Sequence, residues 1–177
     1  PPVWALPPPS PPPPPPPPPR PRPPLPLFLP HLSGRNTALV GLVGEFAFAQ
    51  WFLGDWRRHD ALGTRGKADI DDRIEIKTSA FPFSAGLNLL VREDYAARRR
   101  PECYVQLIID TPDRQARGLQ PGWNCRLSGW ATADEVDAAP LRDFGAKGGG
   151  RGGYRCRYIS IRDLHPMGSF PIPRSIP

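Results

Sequence analysis

The chain has 177 residues and a formal net charge of +6, with a pI near 9.7. Its three cysteines (Cys103, Cys125, Cys156) form no C-x-x-C pair, and His31, His59 and His165 are equally scattered. This spacing argues against a zinc site or a disulfide framework and fits a reducing, cytoplasmic setting.

Residues 1–32 hold 19 of the 28 prolines, including an unbroken run from Pro11 to Pro19. Proline fixes φ and lacks an amide donor, so this stretch is expected to be a disordered polyproline II arm without a core. It also lacks the basic-then-apolar order of a secretory signal. Residues 33–177 are long enough for one domain with a real core. They keep 21 basic against 17 acidic residues, a balance that suits a polyanionic partner.

Ser33 or Asn36 is a candidate cap for a first helix over 37–53. There Leu39, Leu42, Val43, Phe46, Ala49 and Leu53 recur at helical spacing before Gly54. Gly44, Glu45 and Gln50 interrupt this region, so no membrane span is expected. Short strands are expected at 68–70 and 74–79 around the turn Asp71-Asp72-Arg73. An extended piece over 87–91 leads into a polar helix over 92–100, stopped by Pro101. Residues 103–109 read as a buried strand, 110–121 as a polar loop and 123–130 as a further strand. Thr132 and Glu135 make a capping box for a short helix that ends by Pro140. A glycine-rich loop at 148–153 and a last strand over 154–161 complete an α/β or α+β domain around a mixed sheet.

The chemistry concentrates in residues 66–79, G-K-A-D-I-D-D-R-I-E-I-K-T-S. Alternate strand residues share a face. A three-residue turn over 71–73 pairs Ile70 with Ile74 and Asp69 with Glu75. That register puts all three isoleucines on one face and Asp69, Glu75 and Lys77 on the other, whereas a two-residue turn splits the apolar face. Two facing carboxylates call for a positive group between them. Carboxylate and carbonyl oxygens suit Mg2+, or Mn2+, with water completing the shell. Lys77 is one of only three lysines among 20 arginines. An ammonium can surrender a proton to chemistry where a guanidinium cannot.

An acid on one strand, Glu-x-Lys on the next and a preceding helix with a Glu resemble the PD-(D/E)xK nuclease superfamily. The resemblance implies a restriction-endonuclease-like αβββαβ core with a mixed central sheet, here with extra C-terminal β elements over 33–177. It implies Mg2+-dependent hydrolysis of DNA phosphodiester bonds, in phage, mobile-element or repair biology. Asp69 and Glu75 would be metal ligands, with Asp71 the alternative to Asp69 and the Ile76 carbonyl a third ligand. Lys77 would be the catalytic lysine. Glu45 matches an auxiliary acid that some branches carry on the first helix. Gln106 sits where some members place a polar residue beside the site. Arg98, Arg99 and Arg100 are candidate phosphate contacts or helix-end cations. RNA stays open as a substrate, and a homodimer fits enzymes that cut both strands. The rival expectations are a nuclease-fold module that only binds nucleic acid, and an interaction protein acting through its polyproline arm.

Overall fold

The computed structural model describes residues 37–59, 68–96, 100–113, 118–143 and 155–172. The proline arm, Ser33, Asn36, Arg98, Arg99 and the glycine-rich loop lie outside the described residues.

Helix α1 spans Thr37–Leu53 and stops at Gly54, whose φ of 76° is the left-handed conformation that a helix C-terminus favours. Its buried face differs from the expected one. Val43, Phe48, Ala49 and Phe52 are buried, whereas Leu39, Leu42, Phe46 and Leu53 are only half-buried. The helix is apolar nearly all round, so spacing alone admits several faces. The side carrying Gly44 is the one that packs. A Cβ placed on Gly44 would overlap the Thr78 side chain, so the missing side chain is what lets helix and strand approach. Gly44→Ala is therefore expected to lower stability by ~1–3 kcal/mol through overpacking, against a helix-propensity gain of about 1 kcal/mol. Urea denaturation would show it, and an unchanged midpoint would mean that the contact yields freely.

Strand β1 (Ile74–Phe81) is followed by β2 (Asn88–Arg92), the short helix α2 (Glu93–Ala96) and β3 (Cys103–Asp110). Then come β4 (Cys125–Thr132), α3 (Ala133–Ala138), β5 (Leu141–Asp143) and β6 (Arg155–Ser160). β1 runs parallel to β3 and β3 antiparallel to β4, giving a mixed three-stranded sheet in the order β1-β3-β4. β2, β6 and β5 form a second, antiparallel sheet. The domain is thus mixed α/β with two sheets, where one mixed sheet was expected.

Burial explains the division. β3 is buried at seven consecutive residues, Cys103 to Ile109, as a central strand covered on both faces must be. β2 buries only Leu89 and Val91, the alternation of a strand with one face outward. One face of β3 meets α1: Val105 and Leu107 join Phe48, Phe52, Ile70, Ile74 and Ile76. The other meets the second sheet and α3: Tyr104 and Ile108 join Leu89, Val91 and Val136.

Several boundaries move. Of residues 68–70 only Ile70 is paired, through a single β-bridge to Ile74. Arg92 closes β2 instead of opening a helix, and β4 begins at Cys125, not at 123. β5 was not anticipated. The capping box forms as expected: the Thr132 hydroxyl accepts from the Glu135 amide at 3.1 Å, and the Glu135 carboxylate accepts from the Thr132 amide at 2.7 Å. Among the described residues no helix is long and apolar enough to cross a membrane.

Candidate active site

The site is built on the turn before β1. The Ile70 amide donates to the Ile74 carbonyl (3.1 Å) and the Ile74 amide returns the bond (3.0 Å). Asp71 and Asp72 take φ of 51° and 58°, values that Asp tolerates better than most residues. This is the three-residue connection that the hydrophobic pattern selects, and it buries Ile70, Ile74 and Ile76 together under α1. Glu75 and Lys77 consequently point to the opposite face. There they neighbour Tyr104 and Gln106, their register partners on β3.

Among the described residues β1 is an edge strand of its sheet, and Asp69 approaches that edge from outside. Its carboxylate accepts the Ile76 amide at 2.7 Å. Ile74 turns both backbone groups toward Ile70, so Ile76, two residues on, turns its carbonyl to the same outer edge. Lys77 Nζ lies 2.5 Å from Glu75 Oε1. Glu75 is only 7% exposed, and its second oxygen, Oε2, is buried without a hydrogen-bond partner. An ionised oxygen in that state is costly unless a cation meets it.

The electrostatics follow from this crowding. Burial, and then the Glu75 charge, push the Asp69 carboxyl up to about 7, against the pull of the Ile76 amide and Lys77. Glu45 on α1 is also raised. Burial is the main cause and the Glu75 charge adds to it, while His59 and Lys77 oppose. Three acids and one lysine therefore feel one another across the open edge of β1.

His59 was missed in the sequence. Its Nδ1 lies 3.0 Å from the Trp56 carbonyl, its ring stands edge-on to Phe46 with centroids 4.1 Å apart, and its charge acts on Glu45. The available signal was D-W-R-R-H directly after the helix-ending Gly54.

No known protein family matches the chain, and no curated protein or solved structure does either. The remaining sequence candidates can be placed by geometry. Asp71 is exposed at the turn, and Asp72 accepts the Ala68 amide at 3.0 Å, so Asp69 is the turn acid at the site. Gln106 is 2% exposed and its amide donates to the Leu107 carbonyl at 2.8 Å. It sits at a bulge where Gly129 (φ 142°) passes so close to Leu164 that a Cβ would come within 2.7 Å. Its amide is committed to holding this irregularity. Arg100 pairs with Asp134 and Asp137 of α3, which offsets its charge toward a phosphate.

Among the described residues no three His, Cys, Asp or Glu side chains are gathered closely enough to hold a metal ion. Glu45 and Asp71 thus do not join Asp69 and Glu75 in a ready ligand cluster. Two carboxylates and an outward carbonyl still fit a hard cation that keeps several waters, and the orphaned Glu75 oxygen is the observation that favours such an ion. The thiols offer nothing comparable. Burial pushes Cys103 and Cys125 up to about 12 and raises Cys156 as well, the state of inert structural cysteines.

Proposed function

We propose that this protein is a metal-dependent nuclease of the PD-(D/E)xK type that hydrolyses DNA phosphodiester bonds. The observation that carries the reading is the buried, unpartnered Glu75 oxygen beside Asp69 and Lys77. Once Asp69 is deprotonated, it and Glu75 carry two negative charges against the single lysine.

Asp69, Glu75 and the Ile76 carbonyl would hold Mg2+ or Mn2+. The ion would supply Lewis-acid charge for a phosphate oxygen and a more acidic bound water. Asp69 is oriented by the Ile76 amide, so its carboxylate is aimed before any ligand arrives. The Lys77 ammonium, held against Glu75, is placed to stabilise charge developing on a phosphate oxygen or to orient the attacking water. Glu45 adds an acidic group from α1 that the Glu75 charge and Lys77 both act on, without being a ready ligand. The overall excess of basic residues supports a polyanionic substrate.

The test is titration of Mg2+ and Mn2+ into the full chain with supercoiled plasmid, branched DNA and RNA as substrates. Cleavage that appears with metal and disappears with chelator is expected on DNA. Salt-sensitive DNA binding without cleavage under either metal would overturn the enzyme reading in favour of a binding module.

A further inference from the structure

After α1 the chain folds back along the helix, and this turn is pinned at every step. The Gln50 side chain donates to the Gly54 carbonyl at 3.0 Å and accepts the Trp56 amide at 3.3 Å. Asp55 caps the short 3-10 turn Trp56–Arg58 by accepting the Arg57 amide at 3.0 Å. The Trp56 carbonyl then receives two bonds from His59, one from its backbone amide at 3.3 Å and one from ring Nδ1 at 3.0 Å. A carbonyl only accepts, so Nδ1 carries a proton and Nε2 is the nitrogen left over. The ring stands edge-on to Phe46 with centroids 4.1 Å apart, and Trp56 meets the same phenyl at 5.2 Å. The turn thus carries an imidazole back by about two helical turns, to the residue beside Glu45.

Among the described residues neither the Glu45 carboxylate nor His59 Nε2 has a hydrogen-bond or ion-pair partner, so neither charge is cancelled elsewhere. Burial raises the Glu45 carboxyl. Of the charges around it His59 opposes that most, ahead of Lys77, while Glu75 adds to it. The other charged groups nearby are accounted for. Asp55 faces Arg57 at 3.6 Å, and Arg58 reaches back to the Leu53 carbonyl at 3.5 Å. Asp69 comes from the turn before β1, and Glu75 and Lys77 from β1 itself. Lys77 therefore stands between two acids, Glu75 at 2.5 Å and Glu45 across the gap to α1.

We propose that His59 is a positioning residue of this site: its positive charge offsets Glu45, so that Lys77 stays with Glu75 instead of being shared between two acids. An ammonium drawn toward α1 would leave the strand edge where the phosphate is to react. The rigid turn fits this role, because a charge acting without direct contact must be held at a fixed distance to act steadily. The bearing on cleavage rests on the nuclease reading, whereas the coupling between His59 and Glu45 does not.

The test is a double-substitution cycle on the full chain, with His59→Asn and Glu45→Gln made singly and together. Asparagine keeps an amide donor where Nδ1 stands and removes the charge, and Glu45→Gln keeps the shape of the side chain. Lost packing on Phe46 falls on both backgrounds alike and cancels in the cycle. Urea denaturation of chelator-treated protein reads the coupling without cleavage. At pH 6.5, His59→Asn is expected to lower the folding constant about threefold more in wild type than in the Glu45→Gln background. At pH 8.5, above the range in which imidazoles carry charge, the two losses are expected to converge. With Mg2+ and plasmid at pH 6.5, His59→Asn is expected to lower kcat several-fold with KM little changed, and the loss to shrink in the Glu45→Gln background. An additive cycle at pH 6.5 overturns the inference whatever cleavage shows, as does a coupling that persists unchanged at pH 8.5. Coupling together with wild-type kcat in His59→Asn overturns the positioning role. Coupling in a wild type that cleaves nothing would instead sink the nuclease reading and leave the charge pair.

Discussion

Lys77→Ala is expected to reduce metal-dependent cleavage by about a hundredfold to a thousandfold, the scale of losing one positioned charge or proton carrier. The variant will also be less stable, because Lys77 Nζ lies 2.5 Å from Glu75 and its removal leaves a buried carboxylate unpaired. Breaking buried pairs costs up to about 3–5 kcal/mol. Here Lys77 is partly exposed, which reduces that figure. Lys77→Arg separates the two effects: a guanidinium can keep the pairing but has no proton to give and a different shape. Restored denaturation midpoint with cleavage still near the alanine level is the expected result. Wild-type cleavage by the arginine variant would reduce Lys77 to a structural counter-ion.

The second large effect concerns Asp69. Its carboxyl is pushed up to about 7 in the folded protein, from an ordinary value of 3.8. Between these limits the folded state keeps a proton that the unfolded chain has released. Stability of the metal-free protein therefore falls as pH rises from about 4 to about 7, at most about 1.4 kcal/mol per pH unit from this group, and the penalty is complete above that window. Asp69→Asn removes the contribution, since its amide oxygen can still accept the Ile76 amide. Urea denaturation at several pH values should show a shallower decline in the variant and a smaller stability gap below pH 4. Mg2+ at pH 8 should raise the midpoint of wild type but not of Asp69→Asn, and cleavage by the variant should be lost. Parallel pH profiles for the two proteins would mean that Asp69 does not carry the crowding assigned to it.

The region that carries these predictions was largely legible in the sequence. Ile70, Ile74 and Ile76 admit one register that keeps them together, and that register fixes where Asp69, Glu75 and Lys77 go. The Thr132–Glu135 cap was legible because it is local. What the sequence did not disclose depends on distant partners. Nothing in Asn88–Arg92 says that it pairs with Arg155–Ser160, so the second sheet could not be read. α1 hides its face because it has too much apolar surface, and the deciding residue is Gly44, which contributes no side chain. Arg100 looked like a phosphate contact because the acids that meet it lie on α3, more than thirty residues later.

The β2–β6 pairing has a consequence for how the molecule is assembled. Asn88 meets Ser160 across the sheet, so among the described residues β2 has no strand partner until the chain has been made through β6. Until then Leu89 and Val91 have no sheet to hold them over Tyr104 and Ile108. Such long-range closure slows folding and prolongs exposure of strand edges. Among the described residues β6 is the most C-terminal strand and the shared partner of β2 and β5, so a chain cut before residue 155 would leave both without it.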